Sequence, residues 1–334
     1  LAQTNSPAPQ YQAPTEVAPD IFLVPIPIPI PLRYVNCYLM RGPAGWTLVD
    51  TGFHDQLAVD AWPRAFADLG IRPQDIDQIL LTHYHPDHIG AAGWLQQWTG
   101  APAYMHDVEL RQLELFWGEG MAPQVERLVA FFAAEGMPAE MAQAIGHHHH
   151  QQFDLVQPLP TLTPVPTGAR LALGRGQYEV IHTPGHSDGL AIFHDSQTGI
   201  LLANDMILAK ITPNVSVWPG CSPNPLVQYL ASLEKVEQLG ARLALPGHRS
   251  MIADVAGRAR EIADHHQERL EKMAAATRVD PTGATAWQVT ERIFRPEELT
   301  IHQVRFAMAE TLAHLVYLVE QGRMVKDGNR YREQ

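Results

Sequence analysis

Leu81-Thr82-His83-Tyr84-His85-Pro86-Asp87-His88-Ile89-Gly90 sets three histidines and an aspartate directly behind the apolar run Ile79-Leu80-Leu81. Alternate residues of a strand project to one side, so His83 and His85 can converge on one ion. Pro86 cannot continue a strand ladder. Asp87 and His88 then fall on a turn, where they can aim at a second ion beside the first. A lone histidine here would read as structural. A solvated loop has no need of four such groups straight after a buried strand, and the pattern reads as metal-binding.

Three later segments repeat the device. Val180-Ile181-His182-Thr183-Pro184-Gly185-His186-Ser187 places His186 after a strand and a tight Pro-Gly turn, with His182 expected to point away as a structural residue. Leu201-Leu202-Ala203-Asn204-Asp205 ends an apolar strand on a carboxylate, and Leu245-Pro246-Gly247-His248 repeats strand, Pro-Gly turn and histidine. Each alone is weak, because a Pro-Gly turn before a histidine is frequent by chance. Together and in this order they are strong.

The surrounding chain is strand-rich with helices interspersed, an α+β pattern of layers. Tyr34–Arg41 and Trp46–Asp50 read as a hairpin. Gln56–Leu69 reads as an amphipathic helix stopped by Gly70. Strands are expected at Arg170–Leu173, Gln177–His182, Leu190–His194, Ile200–Ala203 and Arg242–Leu245, with a helix at Pro225–Leu239. In Val24–Leu32, Pro25, Pro27, Pro29 and Pro31 remove every second N–H, so the segment reads as an edge strand or a polyproline stretch. Residues 1–19, rich in Pro, Ala, Gln and Thr, read as a flexible arm. Residues 105–157 change to helical sequence rich in Met, Phe and Trp, an insertion suited to capping a site or to dimerising. His147–His150 at its end reads as a solvated loop. Beyond residue 251, helices are expected at Val255–Ala276, Trp287–Phe294 and Thr300–Gln321, with Thr300 and Gln303 as a capping box. A hairpin at Met324–Tyr331 then suggests a winged-helix module, and His265 and His266 read as solvated. The domains are thus an arm over 1–19, a catalytic unit over 20–250 and a C-terminal unit over 251–334.

Composition narrows the classes. The chain has 334 residues, 46% hydrophobic and 18% charged, enough to bury a core and against wholesale disorder. A formal charge of −12 repels phosphate backbones at long range, though a local basic groove stays open. Residues 276–334 carry eight basic and eight acidic side chains, without the basic excess of a nucleic-acid module. Cys37 and Cys221 stand in no metal or redox spacing and read as reduced and buried. No apolar run is long enough to span a bilayer. The chain shows no signal peptide, so a cytoplasmic location is expected, with export as the alternative if a leader precedes Leu1.

The set HYHPDH, TPGHS, strand-end Asp205 and PGH, with LVDTG at Leu48–Gly52, resembles the metallo-β-lactamase-fold hydrolase superfamily from Tyr34 to His248. The tail from Val255 resembles the small winged-helix appendage of the subgroup related to the human β-lactamase-like endoribonuclease. The resemblance implies a four-layer αββα sandwich with its site at one edge and two divalent ions. His83, His85 and His186 would hold the first, Asp87, His88 and His248 the second, and Asp205 would bridge them. Asp50 would stand behind, orienting a ligand or the attacking water. The nitrogen and oxygen donors suit zinc first, and also manganese or iron. Such ions, about 3.5–4 Å apart, would share a hydroxide that attacks a carbonyl or phosphorus, with Asp87 orienting it or relaying its proton. Asp205 in place of a cysteine, and His88 after Asp87, depart from the familiar zinc β-lactamases, so antibiotic hydrolysis is not expected. His85 in place of Glu, without a flavin domain, argues against the diiron oxygen reductases.

Two functions follow. The first is hydrolysis of a small ester, lactone or thioester, with the Met- and Phe-rich insertion suiting an acyl chain or simply forming its own core. The second is a phosphodiesterase or endoribonuclease, with Lys326, Arg330 and Arg332 near the wing. The first is preferred, with the C-terminal unit shaping one wall of the site. The expected partner is a small molecule. Nucleic acid is disfavoured, no membrane is expected and a homodimer is open.

Overall fold

The computed structural model describes residues 9–334. Among them, two β-sheets form the centre. The first runs in order through β1 (Thr15–Ala18), β2 (Ile21–Pro27), β3 (Tyr34–Arg41), β4 (Trp46–Val49), β5 (Ile76–Leu81), β6 (Ala103–His106) and β7 (Leu162–Val165). Its first four strands are antiparallel and β4 to β7 are parallel. The second contains β8 (Arg170–Leu173), β9 (Gly176–His182), β10 (Ala191–Asp195), β11 (Ile200–Asn204) and β12 (Leu243–Pro246), in the order β12-β11-β10-β9-β8. Only the β11–β12 pair in it is parallel.

Alternation assigns the faces. Tyr38 and Met40 of β3, Val49 of β4 and Leu80 of β5 meet Tyr178 and Val180 of β9, Phe193 of β10 and Leu202 of β11 between the sheets. Their neighbours Cys37, Leu39, Leu48, Ile79 and Leu81 face the other way and pack under helices. A strand buried on both faces must be apolar at every position, as ILL before the histidines is. Helices α1 (Gln56–Leu69), α2 (Pro86–Ile89) and α3 (Ala92–Thr99) follow strands of the first sheet. Asp55 caps α1 by accepting from Ala58 N–H at 3.0 Å, and Gly70 closes it at φ 65°. The insertion folds as α4 (Asp107–Trp117), α5 (Met121–Ala134) and α6 (Ala139–Gln152), and α7 (Pro225–Gln238) covers the second sheet. The result is a four-layer αββα sandwich.

The C-terminal unit holds α8 (Val255–Thr277), α9 (Ala286–Phe294) and α10 (Ile301–Glu320), with β13 (Ala284–Thr285), β14 (Met324–Asp327) and β15 (Arg330–Glu333). The expected capping box is present, Thr300 Oγ1 accepting from Gln303 N–H at 3.3 Å and Gln303 Oε1 from Thr300 N–H at 2.9 Å. The expected hairpin is β14–β15, widened by β13 into a three-stranded sheet. α8 packs along α7, and α10 packs on α6, α8 and α9, so this unit sits directly on the sandwich.

Several expectations are corrected. The arm over 1–19 contains β1, and Tyr11 donates to Asp68 at 2.6 Å; residues 1–8 lie outside the described part. The proline-rich strand β2 is not a bare edge, because β1 pairs with Ile21–Leu23. Only its half with Pro25 and Pro27 is left uncovered on that side, where a missing N–H costs nothing. The histidine run is on α6 rather than in a loop. His149 is 2% exposed and stacks on Trp117 at 4.8 Å. His266 is likewise 2% exposed, its Nδ1 3.0 Å from His314 Nε2, because α8 turns that face towards α10. Cys37 and Cys221 are free thiols, the first buried and the second half-buried. No described helix is long and apolar enough to cross a membrane.

Candidate metal centre

The ends of β4, β5, β9, β11 and β12 lead into one edge of the sandwich, and each delivers a polar side chain there. β5 runs into His83 and His85. Pro86 occupies the first position of the short α2, where its missing N–H is harmless, and α2 carries Asp87 and His88. β4 ends at Asp50, β9 leads to His186, β11 to Asp205 and β12 to His248.

The donor atoms form three overlapping groups, His83/His85/His186, His83/His88/Asp205 and Asp87/His88/His248, each within 4.8 Å of one another. Asp205 Oδ2 is central. It stands 3.6 Å from each of His88 Nε2, His186 Nε2 and His248 Nε2. Asp87 Oδ2 lies 3.2 Å from His248 Nε2 and 3.9 Å from His88 Nε2. Donors about 2.1 Å from a tetrahedral ion stand roughly 3.4 Å apart, which is this spacing. His83 Nε2, His88 Nε2, His186 Nε2 and Asp205 Oδ1 are buried without a hydrogen-bond partner. Orphaned donors packed this closely are costly unless a cation satisfies them. The residues present fit two divalent ions.

The opposite ring nitrogens explain why the Nε2 atoms face inward. His186 Nδ1 donates to Asn214 O at 2.8 Å, His248 Nδ1 to Tyr34 O at 2.9 Å and His88 Nδ1 to Asp50 Oδ2 at 2.8 Å. Thr82 Oγ1 gives its only proton to Asp50 Oδ2 at 2.8 Å, so at 3.0 Å it accepts from His83 Nδ1. Each ring therefore presents a lone pair to the cluster. Asp50 also accepts from Thr82 N–H at 3.0 Å and sits at φ 56°, a left-handed position that aspartate tolerates. Thr51 N–H and Oγ1 both donate to His88 O at 2.8 Å, which ties the LVDTG segment to α2.

Burial and mutual repulsion hold His83 well below the usual histidine value, and His85 and His186 are lowered chiefly by burial. Burial also opposes charge on His88 and His248, but Asp205 and Asp87, with Asp50 at His88, outweigh it and raise both. Burial would lift Asp87 and Asp205, yet the histidines pull both down into the carboxylate form.

The cluster opens on a cleft of about 320 Å³. Ile30, Leu32, Phe53, Leu208, Ile211 and Pro213 give it apolar walls, and His302, Gln303, Arg305 and Phe306 of α10 close one side. No residue of the 105–157 insertion lines it. Leu113, Phe116, Trp117, Leu128 and Phe132 are instead buried in the core shared with the sandwich, Phe116 stacking on Tyr84 at 4.9 Å and Phe132 meeting Trp218 at 6.0 Å. The seven candidate ligands singled out in the sequence come together here, with Asp50 behind them. His182 points away, its Nε2 2.7 Å from Asp188 O and its ring stacked on His106 at 4.7 Å.

The sequence reading missed four supports. Thr82, inside the motif, was detectable. Glu109 of α4 accepts from Tyr84 N–H at 2.9 Å and Gly189 N–H at 2.7 Å, bracing the two histidine loops against each other. It gave no local signal, and neither did Asn214 or Arg305.

Residues 30–248 match the metallo-beta-lactamase superfamily. The chain belongs to that superfamily. Residues 270–332 match the metallo-beta-lactamase-like C-terminal domain. The crystal structure of a metallo-beta-lactamase family protein from Thermus thermophilus is similar at 38% identity and TM-score 0.85, over 96% of this chain and 100% of that one. The probable metallo-hydrolase YqjP of Bacillus subtilis is 24% identical over 89% of this chain and 91% of its own length. The atrochrysone carboxyl ACP thioesterase of Aspergillus fumigatus is 23% identical over 73% of this chain and 60% of its own length. This superfamily member is a metal-binding hydrolase.

Proposed function

We propose that the protein hydrolyses small esters, lactones or thioesters with two divalent ions, zinc first among them. His83, His85 and His186 would hold one ion, Asp87, His88 and His248 the other, with Asp205 shared between the two groups. The carrying observation is Asp205 Oδ2, equidistant at 3.6 Å from three histidine nitrogens at the mouth of an apolar cleft. When bound, such ions polarise the target oxygen and lower the pKa of water. The chain's own residues do the rest. Asp50 and Thr82 fix the rings of His88 and His83. Asp87, with 14% of its side chain exposed, faces the cleft and takes the proton from the attacking water. It returns that proton to the leaving alcohol or thiol as the acyl bond breaks. Ile30, Leu32 and Phe53 exclude bulk water and seat the acyl chain.

Three features favour a carbonyl over a phosphodiester. The cleft is small and apolar. The C-terminal unit lacks a basic excess. A similar fungal protein is named a thioesterase. The test sets an acyl-homoserine-type lactone, a thioester, an aryl ester, an aryl phosphodiester and single-stranded RNA side by side on metal-loaded protein, with a chelated control. Chelator-sensitive turnover confined to the carbonyl substrates is expected. Cleavage confined to the phosphodiester and RNA would overturn the reading.

A further inference from the structure

Arg305 is a buried cation with no carboxylate in salt-bridge contact among the described residues, Asp87 of the cluster acting on it only across the cleft. It sits in the second turn of α10, is 8% exposed, and lines the same cleft as Asp87, His186, Asp205 and His248. Of its five N–H donors, the described hydrogen bond is Nη1 to His149 Nδ1 at 3.3 Å, and Nε has no partner. Among the described residues no carboxylate pairs with it. Its guanidinium lies 4.7 Å from the Phe306 ring and 5.6 Å from that of Trp218, which hold its plane in place. Burial, with Arg305 itself, pushes His149 and His302 down to about 3, so at neutral pH they add no charge beside it. An arginine kept only for packing would have its donors satisfied, since an unpaired buried charge is strongly destabilising.

We propose that Arg305 binds a carboxylate carried on the acyl part of the substrate, so that the protein acts on half-esters or half-thioesters of dicarboxylic acids. This rests on the carbonyl-hydrolase reading above and specifies its substrate. The planar fork of a guanidinium matches a carboxylate with two parallel N–H···O bonds. One cation balances one negative charge, which favours a carboxylate over a doubly charged phosphate. Two divalent ions would add positive charge to the same cleft and draw an anion further. Ile30, Leu32 and Phe53 line the same cleft as the cluster and Arg305, and their apolar surface suits methylene groups joining the scissile carbonyl to the carboxylate.

The test compares p-nitrophenyl hemisuccinate with p-nitrophenyl isocaproate, whose branched end has the shape of the carboxylate without its charge. Metal-loaded wild type, Arg305→Met and Arg305→Lys are assayed. Charge-assisted hydrogen bonds predict a preference for the hemisuccinate of about 10-fold or more in kcat/KM, arising in KM. Arg305→Met collapses the ratio, and Arg305→Lys, keeping charge but not the fork, restores part of it. An unchanged ratio in both variants overturns the proposal. Calorimetry with succinate and with inorganic phosphate reads binding without turnover. Succinate is expected to bind at least roughly 10-fold more weakly to Arg305→Met. If that variant does not fold, a several-fold loss in Arg305→Lys carries the result, and equal affinity overturns it. Arg305-dependent binding of phosphate alone would also overturn the carboxylate assignment. If neither ester is hydrolysed, the carbonyl reading fails while calorimetry still decides the role of Arg305.

Discussion

Asp50→Asn isolates the support beneath the cluster. Asp50 is fully buried and accepts three hydrogen bonds, from Thr82 N–H, Thr82 Oγ1 and His88 Nδ1. Asparagine fits the same volume and tolerates the left-handed backbone, so neither packing nor φ changes the balance. Its single carbonyl oxygen can take the Oδ2 position and keep two of the bonds. The amide NH₂ then faces Thr82 N–H, leaving a buried donor unsatisfied at about 1–3 kcal/mol. The bond to His88 also loses its charge assistance, for about another 1 kcal/mol. A total of about 2–4 kcal/mol is expected in urea denaturation of chelator-treated protein. Since His88 loses a charged orienting partner, the ion held by Asp87, His88 and His248 should bind about 10–100-fold more weakly in a competitive chelator titration. The His83/His85/His186 ion should change less. An unaltered urea midpoint together with unaltered affinity for both ions would refute the supporting role of Asp50.

Three further outcomes are expected. His83→Ala and His248→Ala should each lower metal content, measured by elemental analysis, and full retention in both would remove the ligand assignment. Gly247→Ala would set a Cβ 2.3 Å from Asp205 Oδ1 and 2.7 Å from His88 Cε1, so metal content should fall while circular dichroism shows an intact fold. Burial, against hydrogen bonds from the N–H groups of Tyr84 and Gly189, raises Glu109 from 4.5 to about 7. Its stabilising contribution is then fully present below about pH 4.5 and lost as pH rises through 7. The stability of wild type relative to Glu109→Gln should fall by about 3 kcal/mol across that window, and parallel pH profiles would refute it.

The histidine–aspartate cluster was legible because every one of its residues stands within a few positions of a strand end, so local pattern carried it. His83, His85, Asp87 and His88 needed only the alternation of β5 and the break at Pro86. His186, Asp205 and His248 needed only a strand ending in a turn. The cleft was not legible in this way. Ile30 and Leu32 looked like part of a proline-rich edge strand, and nothing local showed that the chain bends there into the cleft. The insertion drew attention because it is rich in Met and Phe, yet its buried side chains join the common core and none lines the cleft. His149 and His266 looked solvated because burial of a helical histidine depends on which face a distant helix covers. Arg305 was one of eight basic residues in a tail of balanced charge. Only its position, without a carboxylate beside it, sets it apart.

The C-terminal unit contributes more than a wall. His186 is oriented by Asn214 O at 2.8 Å. The Asn214 side chain in turn donates to Glu310 Oε2 at 3.0 Å and Phe306 O at 3.5 Å, both on α10. A shift of α10 therefore moves the carbonyl that aims His186 into the cluster. The same helix carries Arg305 and Phe306 into the cleft, packs on α8 and α9, and buries Val304, Met308, Leu312 and Leu315 in the core. One packed helix thus fixes the distance between the histidine–aspartate cluster and the group that would receive the substrate's charge. Because that distance is set by helix packing rather than by a mobile loop, acyl chain length should be selected sharply. Altering it would take a change in the seat of α10 on α8, not a substitution in the cleft alone.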